Sequence, residues 1–345
     1  MNNIKISMLG VSGSGKTAFL SGICDTFISD NIQVGDKNDE NIMHLYRILP
    51  YNADDLSRTN VGDIRRFSIR SNRSFTSVST EDTSRYMLSL YDDCVSTHEQ
   101  LCTISFIDYK GGFIEELVNE HSDEAVADVR DEILSSNVIL IFADAIKLSL
   151  NDNPGQYNSM FGNEDINTFF NTNTFTNSSV TVLFILTKDD NVHVSDDDEL
   201  LTERLRKAFE PAIKIMEHNK WNIGIIRTSA IGVNSADPES NRLCEDAMIR
   251  PYGIDSVIFY SIYRCFGEEV TALCIKIDEL EKLPLIARIS KETKNKLKIL
   301  RSQLDETRCI YESIRTAYNN LYITDSLIWE HSSKTTGVNV VSQTR

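Results

Sequence analysis

The chain lacks the cysteine pattern of a disulfide framework or a zinc site. Its seven cysteines (Cys24, Cys94, Cys102, Cys244, Cys265, Cys274 and Cys309) are odd in number and contain no C-x-x-C pair. Reduced thiols and a cytoplasmic location are the expectation. Long apolar runs are also missing: nothing approaches the roughly 18 residues that a transmembrane helix needs, and residues 1–10 lead directly into a strand with no signal-like apolar region. Basic residues are scarce. Against 51 Asp and Glu stand 35 Lys and Arg, a formal net charge of -16. Such a chain repels phosphate backbones at long range, which argues against direct nucleic-acid binding. Any phosphate it holds must be held by a local device. The six histidines are scattered, and none stands beside Ser12, Ser14 or Ser229, so a serine hydrolase has no support.

What is present is ordinary globular material: 345 residues, 41% hydrophobic and 25% charged, enough for one large domain or two modest ones with a sizeable core. Five short apolar runs, at 4–9, 103–107, 138–142, 180–186 and 223–227, read as buried strands with helical or loop segments between them. Apolar residues on both faces point to a doubly wound, mainly parallel α/β sheet. Some ninety residues separate the first two runs, far more than one connection requires, so that stretch carries structure of its own. Residues 85–91 alternate like an edge strand able to pair antiparallel with 103–107, 64–70 could form another strand, and the Ser/Thr/Asn/Arg-rich segment 71–84 reads as a mobile loop. Residues 151–179 are Asn-rich and read as a surface insertion with a short helix near 164–171. The acidic run 196–199 precedes an amphipathic helix expected over 200–219, where capping of the helix dipole explains it better than a calcium loop does. A helix is expected over 252–278, broken by Pro284, then a second over 286–322. In the second, Leu297, Leu300, Leu304, Thr307, Tyr311, Ile314, Tyr318 and Leu321 follow the three- and four-residue steps of a coiled-coil seam. Packing on its own domain and binding a partner or a second copy are both open readings of that seam. The last fifteen residues are polar and look disordered.

The strongest chemical signal is GVSGSGKT at 10–17, which fits G-x-x-x-x-G-K-[ST] between a strand and a helical run. Gly10, Gly13 and Gly15 let the backbone wrap closely, so that N–H groups of the loop through Ser12, Ser14 and Ala18 can reach phosphate oxygens. Lys16 supplies a cation for the terminal phosphates and the Thr17 hydroxyl can ligate Mg²⁺. At the end of the fourth run, Thr187-Lys188-Asp189-Asp190 matches [NT]-K-x-D. Guanine offers two adjacent N–H donors that one carboxylate, that of Asp190, can accept, whereas adenine would leave the carboxylate unpaired. Lys188 can lie along the base and tie back to the glycine loop.

Two weaker signals matter only by position. Asp108-Tyr109-Lys110-Gly111 follows the second run as D-x-x-G, where Asp108 can hold Mg²⁺ through water and the Gly111 N–H can sense a γ-phosphate. Thr228-Ser229-Ala230 closes the last run, where a backbone N–H can donate to guanine O6. All four lie at carboxyl ends of strands, where doubly wound sheets bind ligands.

Together GVSGSGKT, DYKG, TKDD and TSA resemble the first, third, fourth and fifth signature motifs of Ras-like GTPases in the translation-factor-related clade, over about residues 1–265. More narrowly, IDYKGG at 107–112, TSAIG at 228–232 and RPYGID at 250–255 are similar to bacterial double-GTPase domains of predicted conflict and defence systems. The resemblance implies a P-loop GTPase domain over 1–265; the pattern of the chain adds an enlarged insertion near 30–84, a helical extension over 266–325 and a disordered tail over 326–345. It implies GTP or GDP with Mg²⁺, and a protein effector or activating partner. Asp108, Lys16 and Gly111 would then serve hydrolysis. A switch threonine should also ligate Mg²⁺: Thr80 is the first choice, then Thr76 and Thr59. One departure stands out. Where the family usually has glutamine after D-x-x-G, this chain has Gly112, so hydrolysis should be slow or completed by Glu115, Glu116 or a partner's arginine. A nucleotide-loaded scaffold with little turnover, and an ATP-dependent kinase or ATPase, are the alternative readings.

Overall fold

All five apolar runs form strands. A computed structural model describes residues 3–28, 32–35, 43–50, 69, 84–93, 99–109, 113–118, 124–150, 153–191, 198–233, 235–237, 242–244, 247–320 and 326–331. In it β1 (Asn3–Leu9), β5 (Glu99–Asp108), β6 (Val138–Asp144), β7 (Thr181–Thr187) and β8 (Asn222–Arg227) lie parallel in the order β5-β1-β6-β7-β8. Among the described residues the sheet has nine strands, because antiparallel strands extend it at both ends. β4 (Ser84–Asp92) pairs antiparallel with β5, as its alternation suggests. It is not the edge: β3 (Met43–Pro50) lies beside it and β2 (Ile32–Gly35) beside β3. Of the strand expected at 64–70, only Ile69 is among the described residues, and 71–83 lies outside them.

Side chains of successive strand residues point to opposite faces, and helices cover both. Ile4, Ile6, Val138, Leu140, Leu183 and Ile185 face one core, packed under α1 (Lys16–Ile23), α9 (Ile254–Glu281) and α11 (Lys291–Asn320). Ile139, Ile141, Val182, Phe184, Ile223 and Ile225 face the other, under α2 (Phe113–Val118), α3 (Glu124–Leu134), α4 (Ala145–Leu150), α5 (Tyr157–Phe161) and α6 (Asn163–Thr172), and also α7 (Asp198–Ala208) and α8 (Glu210–His218). The chain leaving β1 turns to the first face and the chain leaving β5 to the second. That divergence opens a crevice at the carboxyl ends of these strands. No helix among the described residues is long and apolar enough to cross a membrane.

Four expectations change. The segment 151–179 is not a surface insertion: Phe161, Ile166, Phe169 and Phe170 are buried, and Phe170 and Phe175 pack against Trp221. The helix expected over 200–219 is two helices, since Pro211, lacking an N–H, stands in the first turn of α8 and stops α7 from continuing. The heptad seam of α11 is occupied by the chain itself. Tyr311 and Tyr318 stack on Tyr263 of α9 at 5.2 and 4.4 Å, and Tyr46 of β3 donates to the Ser313 carbonyl at 2.8 Å, so these residues are not a handle for a partner or a second copy. Finally, residues 327–331, expected within a disordered tail from 326, form a strand: β9 (Leu327–His331) pairs antiparallel with β8, which would otherwise present a bare edge. Residues 332–345 lie outside the described residues.

The packing of α6 gives a test. Phe170→Ala should lower unfolding free energy by about 3–5 kcal/mol in urea titrations, as for a buried aromatic in a core. A loss below about 1 kcal/mol would return 151–179 to the periphery.

Candidate functional site

The glycine loop between β1 and α1 turns with its backbone at positive φ, and Gly15, at φ 101°, forms the N-cap of α1. A Cβ at Gly15 would lie 2.9 Å from Thr187 Cγ2, so glycine is required by conformation and by space together. The loop closes on itself through Ser14 N–H to Val11 O at 3.2 Å, and α1 begins with Phe19 N–H to Gly15 O at 2.8 Å. Ser12 and Gly13 are exposed, Ser14 is buried, and Thr17 and Ala18 are half-buried in the first turn of the helix. Lys16 is only 6% exposed. Its ammonium donates to the Gly10 and Val11 carbonyls at 2.6 and 3.2 Å. Burial pushes its pKa down, and the charge of Asp108 pulls it back up.

Asp108 ends β5, level with Met8 of β1, and is buried. Its neighbour Tyr109 shares a hydrogen bond with Ser7 at 3.2 Å, and Ser7 another with Ser136 at 2.7 Å, which fixes the strand end from behind. A hydroxyl from Thr17 and a carboxylate from Asp108 are hard oxygen donors. That set fits Mg²⁺, which takes one or two protein oxygens and fills its remaining positions with phosphate and water. Gly111, Gly112 and the three candidate threonines Thr80, Thr76 and Thr59 lie outside the described residues. Glu115 and Glu116 are exposed in the first turn of α2.

At the end of β7 the Thr187 hydroxyl donates to the Ser14 carbonyl at 2.7 Å and lies 3.3 Å from that of Ala143. The tie to the glycine loop expected of Lys188 is therefore made by Thr187. Lys188, at φ 59°, instead pairs with Asp144 at the end of β6, 2.7 Å away. Asp190 accepts the Ser229 hydroxyl on Oδ1 at 2.5 Å. Burial pushes the Asp190 carboxyl above its ordinary value, and that hydrogen bond partly opposes the shift.

The loop after β8 is more selective than the sequence suggests. The Ser229 backbone N–H bonds to the Tyr252 carbonyl at 3.1 Å, and the N–H groups of Ile231 and Gly232 turn inward to the Ser229 hydroxyl oxygen at 3.2 and 2.8 Å. Among the described residues, no such bond takes the Ala230 N–H. Of the two residues expected to donate to a ligand, Ser229 has its N–H taken by the Tyr252 carbonyl, and its hydroxyl goes to Asp190.

Sequence reasoning missed the group that braces these loops. Asp189 receives Arg227 Nε at 2.6 Å and the Tyr252 hydroxyl at 2.7 Å, while Arg227 Nη1 reaches Asp198 at 2.5 Å. Asp198, read as a helix cap, thus also anchors the strand end. Gly253, at φ 73°, comes so close that a Cβ would lie 2.1 Å from the Arg227 carbonyl oxygen. The motif RPYGID at 250–255 was the available signal, though its spacing alone does not say which loop it supports.

No family model and no curated protein matches the chain. Solved structures do. The S. cerevisiae Ski7 GTPase-like domain bound to GDP and inorganic phosphate matches at TM-score 0.34 and 14% identity, over 74% of this chain and 48% of that one. The same domain bound to GTP matches at 0.32 and 16%, over 72% and 47%. Sup35 complexed with GDP matches at 0.30 and 10%, over 68% and 40%. The chain spans less than half the length of these three.

Removing the Ser229 hydroxyl tests the electrostatics of the loop. Its hydrogen bond favours the charged carboxylate, so Ser229→Ala should raise the Asp190 pKa further, followed by carboxyl carbon shifts in a pH titration. An acid whose folded pKa is raised favours the fold at low pH and loses that contribution as pH rises through the folded value. The variant should therefore lose stability relative to the parent as pH rises through the Asp190 transition. An unchanged titration would remove Ser229 from this role.

Proposed function

We propose that this chain is a guanine-nucleotide switch of the Ras-like, translation-factor-related type that binds GTP with Mg²⁺ and hydrolyses it to GDP and phosphate. The observation that carries the reading is the pairing of two loops at the ends of β1 and β7, which flank β6. One is a glycine loop with a desolvated lysine; the other is a carboxylate, Asp190, held by Ser229 and flanked by the Ala230 N–H. The first suits phosphates, since backbone N–H groups and one cation act there with little competing water. The second suits guanine. A carboxylate offers about four lone-pair positions, so Asp190 can accept two base N–H donors while keeping its bond to Ser229, and Ala230 can donate to the base carbonyl. Lys188, drawn aside by Asp144, flanks the base with its aliphatic stem.

Mg²⁺, when bound through Thr17 and Asp108, supplies charge neutralisation for the phosphates. Lys16 holds the terminal phosphates and Asp108 holds water in the metal's shell. Thr80 and Gly111 take the γ-phosphate-sensing roles; the segment around 60–84 and the residues after Gly111 would be ordered by GTP and released on hydrolysis, and the enlarged first insertion and the C-terminal helices would present the effector surface. Gly112 offers no side chain to orient the attacking water, which supports slow turnover unless a partner supplies the missing group. The same residue favours the second reading, a nucleotide-loaded scaffold. The narrower likeness to bacterial defence domains rests on short motifs alone.

Titration of nucleotide-free protein with GTP, GDP and ATP in Mg²⁺ tests the assignment. Guanine nucleotides should bind, ATP should not, and Asp190→Ala should weaken guanine binding by about 100-fold. Equal binding of ATP, or an indifferent Asp190→Ala, leaves only the phosphate loop standing. Because the base requires the charged carboxylate and burial raises the Asp190 pKa above its ordinary value, guanine affinity should fall on acidification at a higher pH than an ordinary aspartate would dictate. Thr80→Ala should weaken GTP more than GDP, measured by competition in Mg²⁺; equal losses would take Thr80 out of the switch.

A further inference from the structure

The hairpin joining α9 to α11 through α10 (Leu285–Arg288) projects beyond the body of the protein. The last buried residue of α9 is Ile277 and the first of α11 is Thr307, and every residue from 281 to 292 is exposed. Leu304 packs on the core and Leu300 lines a cavity shared with β3, β4 and β5, so the nine residues of α11 before Leu300, roughly 14 Å of helix, stand beyond the sheet. Leu297, Leu300 and Leu304 are half-buried. Other apolar residues are left outside: Leu283 is 37% exposed, Leu285 63%, Ile286 84%, Ile289 55% and Ile299 59%. Clustered exposure of this kind at a convex tip marks an interaction surface.

The charge of the tip is opposite to that of the chain. Residues 282–301 hold seven Lys and Arg against one acid, Glu292, in a chain whose net charge is -16. The acids at the base of the hairpin are partly engaged: Lys282 pairs with Asp278 at 2.5 Å and Arg301 with Glu281 at 2.6 Å. Lys291, Lys294, Lys296 and Lys298 make no ion pair among the described residues. Leucines and isoleucines at the extreme end, with lysines on the helix behind them, are the arrangement by which amphipathic segments seat in an anionic bilayer interface. The apolar tip enters the headgroup boundary and the lysines meet lipid phosphates. A concave protein groove is not required, and the acidic body is held away from the surface by its own charge.

We propose that the α9–α11 hairpin tip is a membrane-surface anchor selective for anionic lipid. This reading is independent of the nucleotide site. Cosedimentation of the full chain with vesicles tests it, comparing phosphatidylcholine alone with phosphatidylcholine and phosphatidylserine mixed, at low and high salt. Binding should occur with the mixed vesicles only and weaken with salt. Two variants at exposed positions, with folding checked by circular dichroism, separate the contributions. Leu285→Asp with Ile286→Asp should abolish binding. Lys294→Glu, Lys296→Glu and Lys298→Glu together should weaken it by about 100-fold or more. No binding to the mixed vesicles overturns the proposal in favour of an acidic protein partner. So does binding that survives both variants, which would lie elsewhere on the chain. Self-association through the same residues without vesicles would point to a second copy and overturn it equally.

Discussion

The contact between Gly15 and Thr187 is the constraint on which the candidate site depends. Two loops from strands separated by β6 meet there, close enough that a methyl group on Gly15 would collide with the threonine side chain. The Thr187 hydroxyl then bonds to the Ser14 carbonyl at 2.7 Å. This joins the glycine loop to the strand end that carries Asp190, three residues on. A ligand that touches both loops meets a spacing already set by backbone packing, with little ordering left to do on binding. The brace behind is of the same kind: Asp189, Arg227, Asp198 and Tyr252 hold the loops after β7 and β8 together by charge-assisted hydrogen bonds. Those bonds lie partly out of water, where breaking one partner is costly.

Two of the site's charged groups are disturbed by burial, in opposite senses. The lysine is driven toward neutrality and Asp190 toward its protonated form. Each has a partial remedy within hydrogen-bonding or Coulombic reach, Asp108 for Lys16 and Ser229 for Asp190. Groups kept charged against desolvation are held at a cost to the fold, and such costs cluster at functional sites. The pattern distinguishes these residues from the exposed ion pairs of α9 and α11, which are screened by solvent and hold little.

The five parallel strands and the glycine loop were legible in the sequence because their signals are local. A run such as VILIFAD at 138–144 needs no partner to read as a strand buried on both faces. The elements that escaped depend on something distant. β9 is five residues with no useful periodicity, and its structure follows from the open edge of β8, about a hundred residues earlier. The helix near 164–171 was legible and is α6, but the burial of α5 and α6 was not: their apolar residues Tyr157, Phe161, Ile166, Phe169 and Phe170 are spaced among asparagines that made the segment read as surface. The pairing of Lys188 with Asp144 joins residues 44 positions apart, and no pattern in either segment announces it. The seam of α11 was visible, yet its occupant was not, because periodicity reports a buried face without naming what buries it.

The electrostatics of the chain then make one consistent picture. A net charge of -16 opposes any polyphosphate at a distance, but at physiological ionic strength that field fades within about 8 Å. Inside the glycine loop the dielectric is lower, the Lys16 charge is less screened, and backbone N–H groups act without reorganising. Affinity for an anion is therefore decided by a few ångströms of local geometry and hardly at all by the overall charge. The same reasoning applies to the hairpin tip. Its outermost basic residues stand on roughly 14 Å of helix beyond the last contacts with the acidic body, more than one screening length, so the charge of the body reaches them weakened. Distance and burial are thus the two means by which an acidic protein keeps local regions of positive potential.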